Sequence, residues 1–115
     1  MERKRIYDIT KSEETVLDAF AGASPFSVGL AAKGCKVTAV DSNPDAEKWS
    51  HNNFKLNNVS ELNYNFFCSK IEDILPDLAF FDKIIMNNPT NSLLYLQELS
   101  KKLRPGGLIH FYKIV

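Results

Sequence analysis

Five short runs rich in β-branched and aromatic residues recur along the chain, at Thr15 to Phe20, Lys36 to Val40, Asn63 to Cys68, Lys83 to Met86 and Leu108 to Val115. Between them the apolar positions change to a helical spacing. Strands alternating with helices predict a parallel sheet, because a parallel return needs a crossover that is usually a helix. The unbroken apolar character of Val16-Leu17, Ile84-Ile85-Met86 and Leu108-Ile109 predicts central strands covered on both faces, since a strand with one wet face alternates. The expected fold class is therefore α/β, with five mainly parallel strands and helices on both faces.

Local punctuation sets the helices. Ser24 reads as an N-cap with Pro25 at the first helical position, and Gly34 falls where a left-handed residue ends a helix. Asn43 and Pro44 repeat the device, opening a helix to about Leu56 with Ala46, Trp49, Asn53 and Leu56 on one face; Trp49 is assigned to core packing. A third helix is expected from Thr90 or Asn91, burying Leu93, Leu96, Leu99 and Leu103 before Arg104-Pro105-Gly106-Gly107 stops it. Lys70 to Leu75 reads as a short helix. Residues 1–14 read as a helical lead-in packed through Ile6 and Ile9, and residues 15–115 as the core domain.

With 115 residues, 44% of them hydrophobic, the composition excludes disorder and leaves no room for a second domain. Fourteen Lys and Arg balance fourteen Asp and Glu, so no global field draws the chain to nucleic acid, and such a partner must be held locally or by another domain. Cys35 and Cys68 lack metal-ligand spacing and read as buried thiols in a reducing compartment. The basic start Met1-Glu2-Arg3-Lys4-Arg5 leads into polar residues rather than an apolar signal segment, and no run is long enough to span a bilayer. A cytoplasmic chain without a membrane partner is expected.

In an open parallel sheet, ligands bind outside the carboxyl ends of the strands where the strand order reverses. The first turn at that edge runs Asp18-Ala19-Phe20-Ala21-Gly22-Ala23-Ser24-Pro25-Phe26, and Asp41 ends the second strand 19 residues after Gly22. A glycine turn followed at this spacing by an acid matches the nucleotide fingerprint, because a carboxylate accepts from both hydroxyls of a ribose at once. The turn lacks the further glycines that bring amides to a pyrophosphate, and Pro25 removes another amide, which favours a ribose ligand without pyrophosphate, such as S-adenosylmethionine. Asp41 is expected to serve the ligand and contribute little to stability. The competing reading makes Gly22 a plain turn residue and Asp41 a capping carboxylate. Asn87-Asn88-Pro89, after the fourth strand, brings amides to the same edge, although Asn and Pro are also the default residues of any turn.

These pieces resemble the class I methyltransferases that modify guanosine 37 of tRNA at N1, together with the related aminocarboxypropyl transferases of wybutosine synthesis. The carriers are Glu2-Arg3-Lys4-Arg5-Ile6, Val16-Leu17-Asp18-Ala19-Phe20-Ala21-Gly22 with Pro25-Phe26-Ser27, Ala39-Val40-Asp41-Ser42-Asn43-Pro44, Asn53-Phe54-Lys55-Leu56-Asn57, Ile84-Ile85-Met86-Asn87-Asn88-Pro89 and Pro105-Gly106-Gly107-Leu108-Ile109-His110-Phe111-Tyr112. They run in order from Glu2 to Val115. The resemblance implies a Rossmann-like core that binds S-adenosylmethionine through Asp18, Phe20, Ala21, Gly22, Asp41, Ser42, Ser69 and Asn87. Phe20, Ala21 and Gly22 would line its methionine end, and Asp41 would grip its ribose. Glu2 would be the general base that removes the guanine N1 proton, with Asn87 beside the reacting base. Arg3, Asn87, Asn88 and Pro89 would meet the tRNA, and no metal is implied.

The chain also departs from the family pattern. Ser24 replaces the second glycine of the turn, Cys68-Ser69 stands where an acid follows the third strand, with Glu72 and Asp73 the nearest acids, and Asn88 replaces a leucine. Family members carry a preceding tRNA-binding region and further residues that complete the sheet, so the core is expected to be truncated at both ends, which would leave Leu108 to Val115 as an exposed apolar edge. Two alternatives remain open: aminocarboxypropyl transfer to tRNA, and a degenerate Rossmann-like module without catalysis.

Overall fold

The computed structural model describes residues 13–22, 24–87 and 92–112. Five strands, β1 (Thr15–Asp18), β2 (Lys36–Asp41), β3 (Tyr64–Cys68), β4 (Phe81–Asn87) and β5 (Leu103–Tyr112), form one sheet in the order β3-β2-β1-β4-β5. Every pairing is parallel. The crossovers contain α1 (Pro25–Ala32), α2 (Pro44–Leu56), α3 (Ile71–Ile74) and α4 (Ser92–Ser100), with single 3-10 turns at Glu61–Asn63 and Leu75–Asp77. The expected lead-in through Ile6 and Ile9 lies outside the described residues.

Adjacent residues of the central strands serve opposite faces, as an unbroken apolar run requires. Leu17, Ile84 and Met86 pack with Ile71, Leu75 and Leu99 on one side, while Val16, Val37 and Ile85 pack with Leu30, Ala31 and Phe54 on the other. Asp82 ties the amino ends of β1 and β4 together, its Oδ2 accepting from Thr15 N at 2.8 Å.

Several boundaries differ from the expectation. β1 stops at Asp18, and Ala19 and Phe20 already turn away from it. Among the described residues β5 lies at one end of the sheet and Leu108 is 49% exposed, as expected of a truncated core and unlike the central strand its apolar run suggested. Leu103 belongs to β5 rather than to the preceding helix, and Arg104-Pro105-Gly106-Gly107 forms an irregularity inside the strand, where the register jumps from Phe81↔Leu103 to Lys83↔Leu108. A Cβ on Gly107 would sit 2.8 Å from Asp82 O and 2.9 Å from Arg104 O, so only glycine lets the two backbones approach. Gly107→Ala is expected to cost about 1 to 2 kcal/mol through that overlap, read as a lower thermal midpoint; an unchanged midpoint would show that the bulge relaxes freely.

Asn43 caps α2 as expected, accepting from Asp45 N at 2.9 Å with Pro44 in the first turn. The buried stripe of α2, however, is Ala46, Ser50 and Phe54, at intervals of four residues. Trp49 is 50% and Leu56 79% exposed, so Trp49 is not a core residue. Of the two thiols, Cys35 is buried and Cys68 is exposed, because β3 is the other edge of the sheet and nothing described covers it there.

Candidate functional site

Strand order reverses where β1 meets β4: the chain steps outward from β1 to β2 and β3, then returns to the other side of β1. The crevice at their carboxyl ends is the expected place for a ligand. Ala19 N donates to Ile85 O at 3.1 Å and Ala21 N to Val40 O at 2.9 Å, suspending the turn after β1 between β4 and β2. Gly22 adopts φ 56°, a left-handed conformation that glycine reaches without strain.

Asp41 closes this turn. Its Oδ2 accepts from Gly22 N at 2.9 Å and its Oδ1 from Asn43 N at 2.9 Å. Each carboxylate oxygen keeps a further lone pair, so the group is held rigidly and can still accept from two neighbouring hydroxyls. The 19-residue interval between Gly22 and Asp41 in the sequence is thus a direct contact in the fold.

A cleft of about 270 Å³ opens beside Asp41, lined by Ala19, Phe20, Asp41, Ser42, Ser69, Lys70, Ile71, Glu72 and Tyr95. It brings together four of the residues expected at a cofactor: Phe20, Asp41, Ser42 and Ser69. Asp18 and Ala21 are buried under the turn rather than lining the cleft. Ser69 N donates to Asp41 O at 3.0 Å and Ser69 Oγ to Lys70 O at 3.1 Å, so this serine braces the strand end. The sequence reading missed Tyr95, which meets Phe20 edge to face at 5.4 Å between ring centroids. It placed Glu72 only as a nearby acid, whereas Glu72 lines the cleft from the first turn of α3.

Asp18 is 1% exposed. Ser27 Oγ donates to its Oδ2 at 2.8 Å, while its Oδ1 is buried without a hydrogen-bond partner among the described residues. Burial pushes its carboxyl up to about 7; the Ser27 hydrogen bond opposes this and the nearby Asp41 charge adds to it.

Ser24 does not cap α1 with its side chain. Its backbone is left-handed, at φ 64° and ψ 46°, and its hydroxyl lies 2.7 Å from that of Ser50. Asn87 is the last residue of β4, in register with Tyr112 at the same sheet edge. Glu2, Arg3, Asn88 and Pro89 lie outside the described residues. Among the described residues, no cluster of three or more His, Cys, Asp or Glu is arranged to hold a metal ion, and no helix is long and apolar enough to cross a membrane.

The family model of the TRM5/TYW2 methyltransferase domain matches residues 1–115. The tRNA (guanine(37)-N(1))-methyltransferase Trm5b of Pyrococcus abyssi is 36% identical over 115 residues, covering 96% of this chain and 32% of that protein. Its crystal structure superposes with a TM-score of 0.85 at 37% identity, over 97% of this chain and 32% of that one. Methanocaldococcus jannaschii Trm5 in complex with adenosine gives a TM-score of 0.86 at 29% identity, over 97% and 34% of the two chains. P. horikoshii TYW2 in complex with MeSAdo gives 0.81 at 25%, over 96% and 41%. The chain spans about a third of the length of the Pyrococcus abyssi protein.

Proposed function

The chain belongs to the TRM5/TYW2 methyltransferase domain family, and we propose that it forms the cofactor-binding, catalytic domain of an enzyme that transfers a methyl group from S-adenosylmethionine to N1 of guanosine 37 in tRNA. The carrying observation is the pair of carboxylates on either side of one turn. Asp41 is clasped by two amides with lone pairs to spare, and Asp18 is buried with one oxygen unpartnered among the described residues. The first suits a vicinal diol and the second an ammonium group, and S-adenosylmethionine carries both. Adenosine and MeSAdo, present in the structures of the two related proteins, share the nucleoside half of that ligand.

When bound, the cofactor supplies a methyl group activated on a sulfonium. This chain's residues would do the rest. Asp41 and Ser42 would hold the ribose, Phe20 and Tyr95 would form an aromatic wall on the cleft, and the turn through Ala21 and Gly22 would border the methionine end. Ser69 braces the floor, and Asn87, Asn88 and Pro89 would orient the guanine from the end of β4. Glu2 would hold the N1 proton, which must leave before this amide-like nitrogen becomes a nucleophile. Arg3 would meet a tRNA phosphate. Holding donor and acceptor in line is the main catalytic demand of such a transfer. A tRNA substrate accords with a cytoplasmic setting.

The likeness to TYW2 supports a second reading, transfer of the aminocarboxypropyl group from the same cofactor. Calorimetric titration of the chain with S-adenosylmethionine should give micromolar binding; no uptake by a folded chain would overturn both readings. With tRNA containing guanosine 37, the mass gained by the nucleoside separates them. Glu2→Gln should abolish transfer while leaving cofactor affinity unchanged.

A further inference from the structure

The buried stripe of α2 is apolar except for Ser50, and the turn after β1 carries a left-handed serine where glycine would be relaxed. Both side chains are fully buried and they touch, hydroxyl to hydroxyl, at 2.7 Å. Ser50 Oγ also donates to Gly22 O at 2.9 Å. A serine has one hydroxyl proton, so a Ser50 that donates to Gly22 receives from Ser24. The result is a directed chain, Ser24 to Ser50 to the Gly22 carbonyl, with both hydroxyls buried and the carbonyl partly so.

Two peptide planes meet at the Gly22 Cα. The N–H of the first donates to Asp41 Oδ2 at 2.9 Å, and the C=O of the second accepts from Ser50. One bond therefore restrains φ of Gly22 and the other restrains ψ, at the residue type with the most backbone freedom to lose. Each bond in such a chain polarises the next. We propose that Ser24 and Ser50 are positioning residues, whose paired hydroxyls fix the Gly22 carbonyl and hold the turn in its ligand-ready form before the cofactor arrives. The proposal rests on the cofactor-binding reading and adds a role for two residues that touch no ligand. It also gives a reason for a strained serine at position 24: glycine would relax the backbone and remove the head of the relay.

The test titrates Ser50→Ala, Ser24→Ala, Ser24→Gly and the Ser24→Ala/Ser50→Ala double variant with S-adenosylmethionine, alongside thermal unfolding and amide hydrogen exchange at Gly22. Ser50→Ala is expected to weaken binding about five- to tenfold and speed exchange at Gly22, and the double variant to bind no worse than Ser50→Ala, because both act through one carbonyl. Ser24→Gly should unfold at a higher temperature than Ser24→Ala yet bind as weakly, which separates positioning from strain. Additive losses, or an unchanged dissociation constant in Ser50→Ala beside a binding parent chain, would overturn the proposal alone. A parent chain that binds nothing overturns the cofactor reading instead; exchange at Gly22 then decides, and an unaltered rate in Ser50→Ala would overturn the positioning role as well.

Discussion

Asp18→Asn should stabilise the ligand-free chain at pH 8 by a few kcal/mol relative to the parent chain, with little difference at pH 4. The sign follows from burial. Burial pushes the Asp18 carboxyl up to about 7 in the fold, from the 3.8 of an ordinary aspartate. The folded chain therefore holds a proton that the unfolded chain releases, and over that interval its stability falls by about 1.4 kcal/mol per pH unit. The contribution is fully present below pH 4 and gone above pH 7. Asparagine cannot ionise, so the difference between the two proteins, measured by denaturant unfolding at each pH, isolates this group from the other carboxylates. The same substitution should weaken S-adenosylmethionine binding by at least about tenfold at pH 8, since an ammonium would lose its buried counter-charge. Parallel stability profiles for the two proteins would show that Asp18 is not the titrating group.

Asp41→Ala has the other large effect, and it acts on fold and ligand together. The sequence alone suggested a residue that serves the ligand and hardly affects stability. In the structure it is the acceptor for two backbone amides, Gly22 N and Asn43 N. Removing it strands both donors; charge-assisted hydrogen bonds of this kind contribute roughly 1.5 to 3 kcal/mol each, and because the Asn43 amide is exposed to water the expected loss is the lower end of their sum, about 3 kcal/mol. Cofactor affinity should fall at least about a hundredfold, from loss of the ribose contact and of the turn that frames it. Titration and thermal unfolding of the same preparation check both arms. A stable variant that merely fails to bind would show that the amides find water instead, and that the clasp is dispensable to the fold.

Features set by local chemistry were legible in the sequence. Asn43-Pro44 opens α2 because a capping side chain and a proline act within one turn of helix, and Val16-Leu17 and Ile84-Ile85 announced two-sided burial because neighbouring strand residues face opposite ways. What escaped depended on distant partners. Successive helix residues are offset by about 100°, so taking Trp49 and Asn53 rather than Ser50 and Phe54 as inward kept Ala46 but turned the rest of the stripe, and only the turn 28 residues earlier shows why a serine belongs there. Arg104-Pro105-Gly106-Gly107 has the composition of a stop signal. It became an irregularity within β5 because the strand had to pass close to Asp82 O. At the site, the spacing of Gly22 and Asp41 was readable as a motif, but the open oxygen of Asp18 arises only when helix and sheet close over it.

Strand order also dictates when the site can exist. β1 acquires its neighbour β2 after a short crossover, but its other neighbour, β4, lies far along the chain, and the Thr15–Asp82 hydrogen bond closes a separation of 67 residues. Contacts of that span form late, because the entropy of closing a long loop must be met before they contribute. While the chain is being synthesised, β1, β2 and β3 can pair and Asp41 can clasp Gly22 before Ile85 has docked beside Asp18. The crevice at the strand reversal is then one-walled. With the cofactor bound as proposed, ligand uptake would report completed folding, and protection from proteolysis by the cofactor should appear only once β4 is in place.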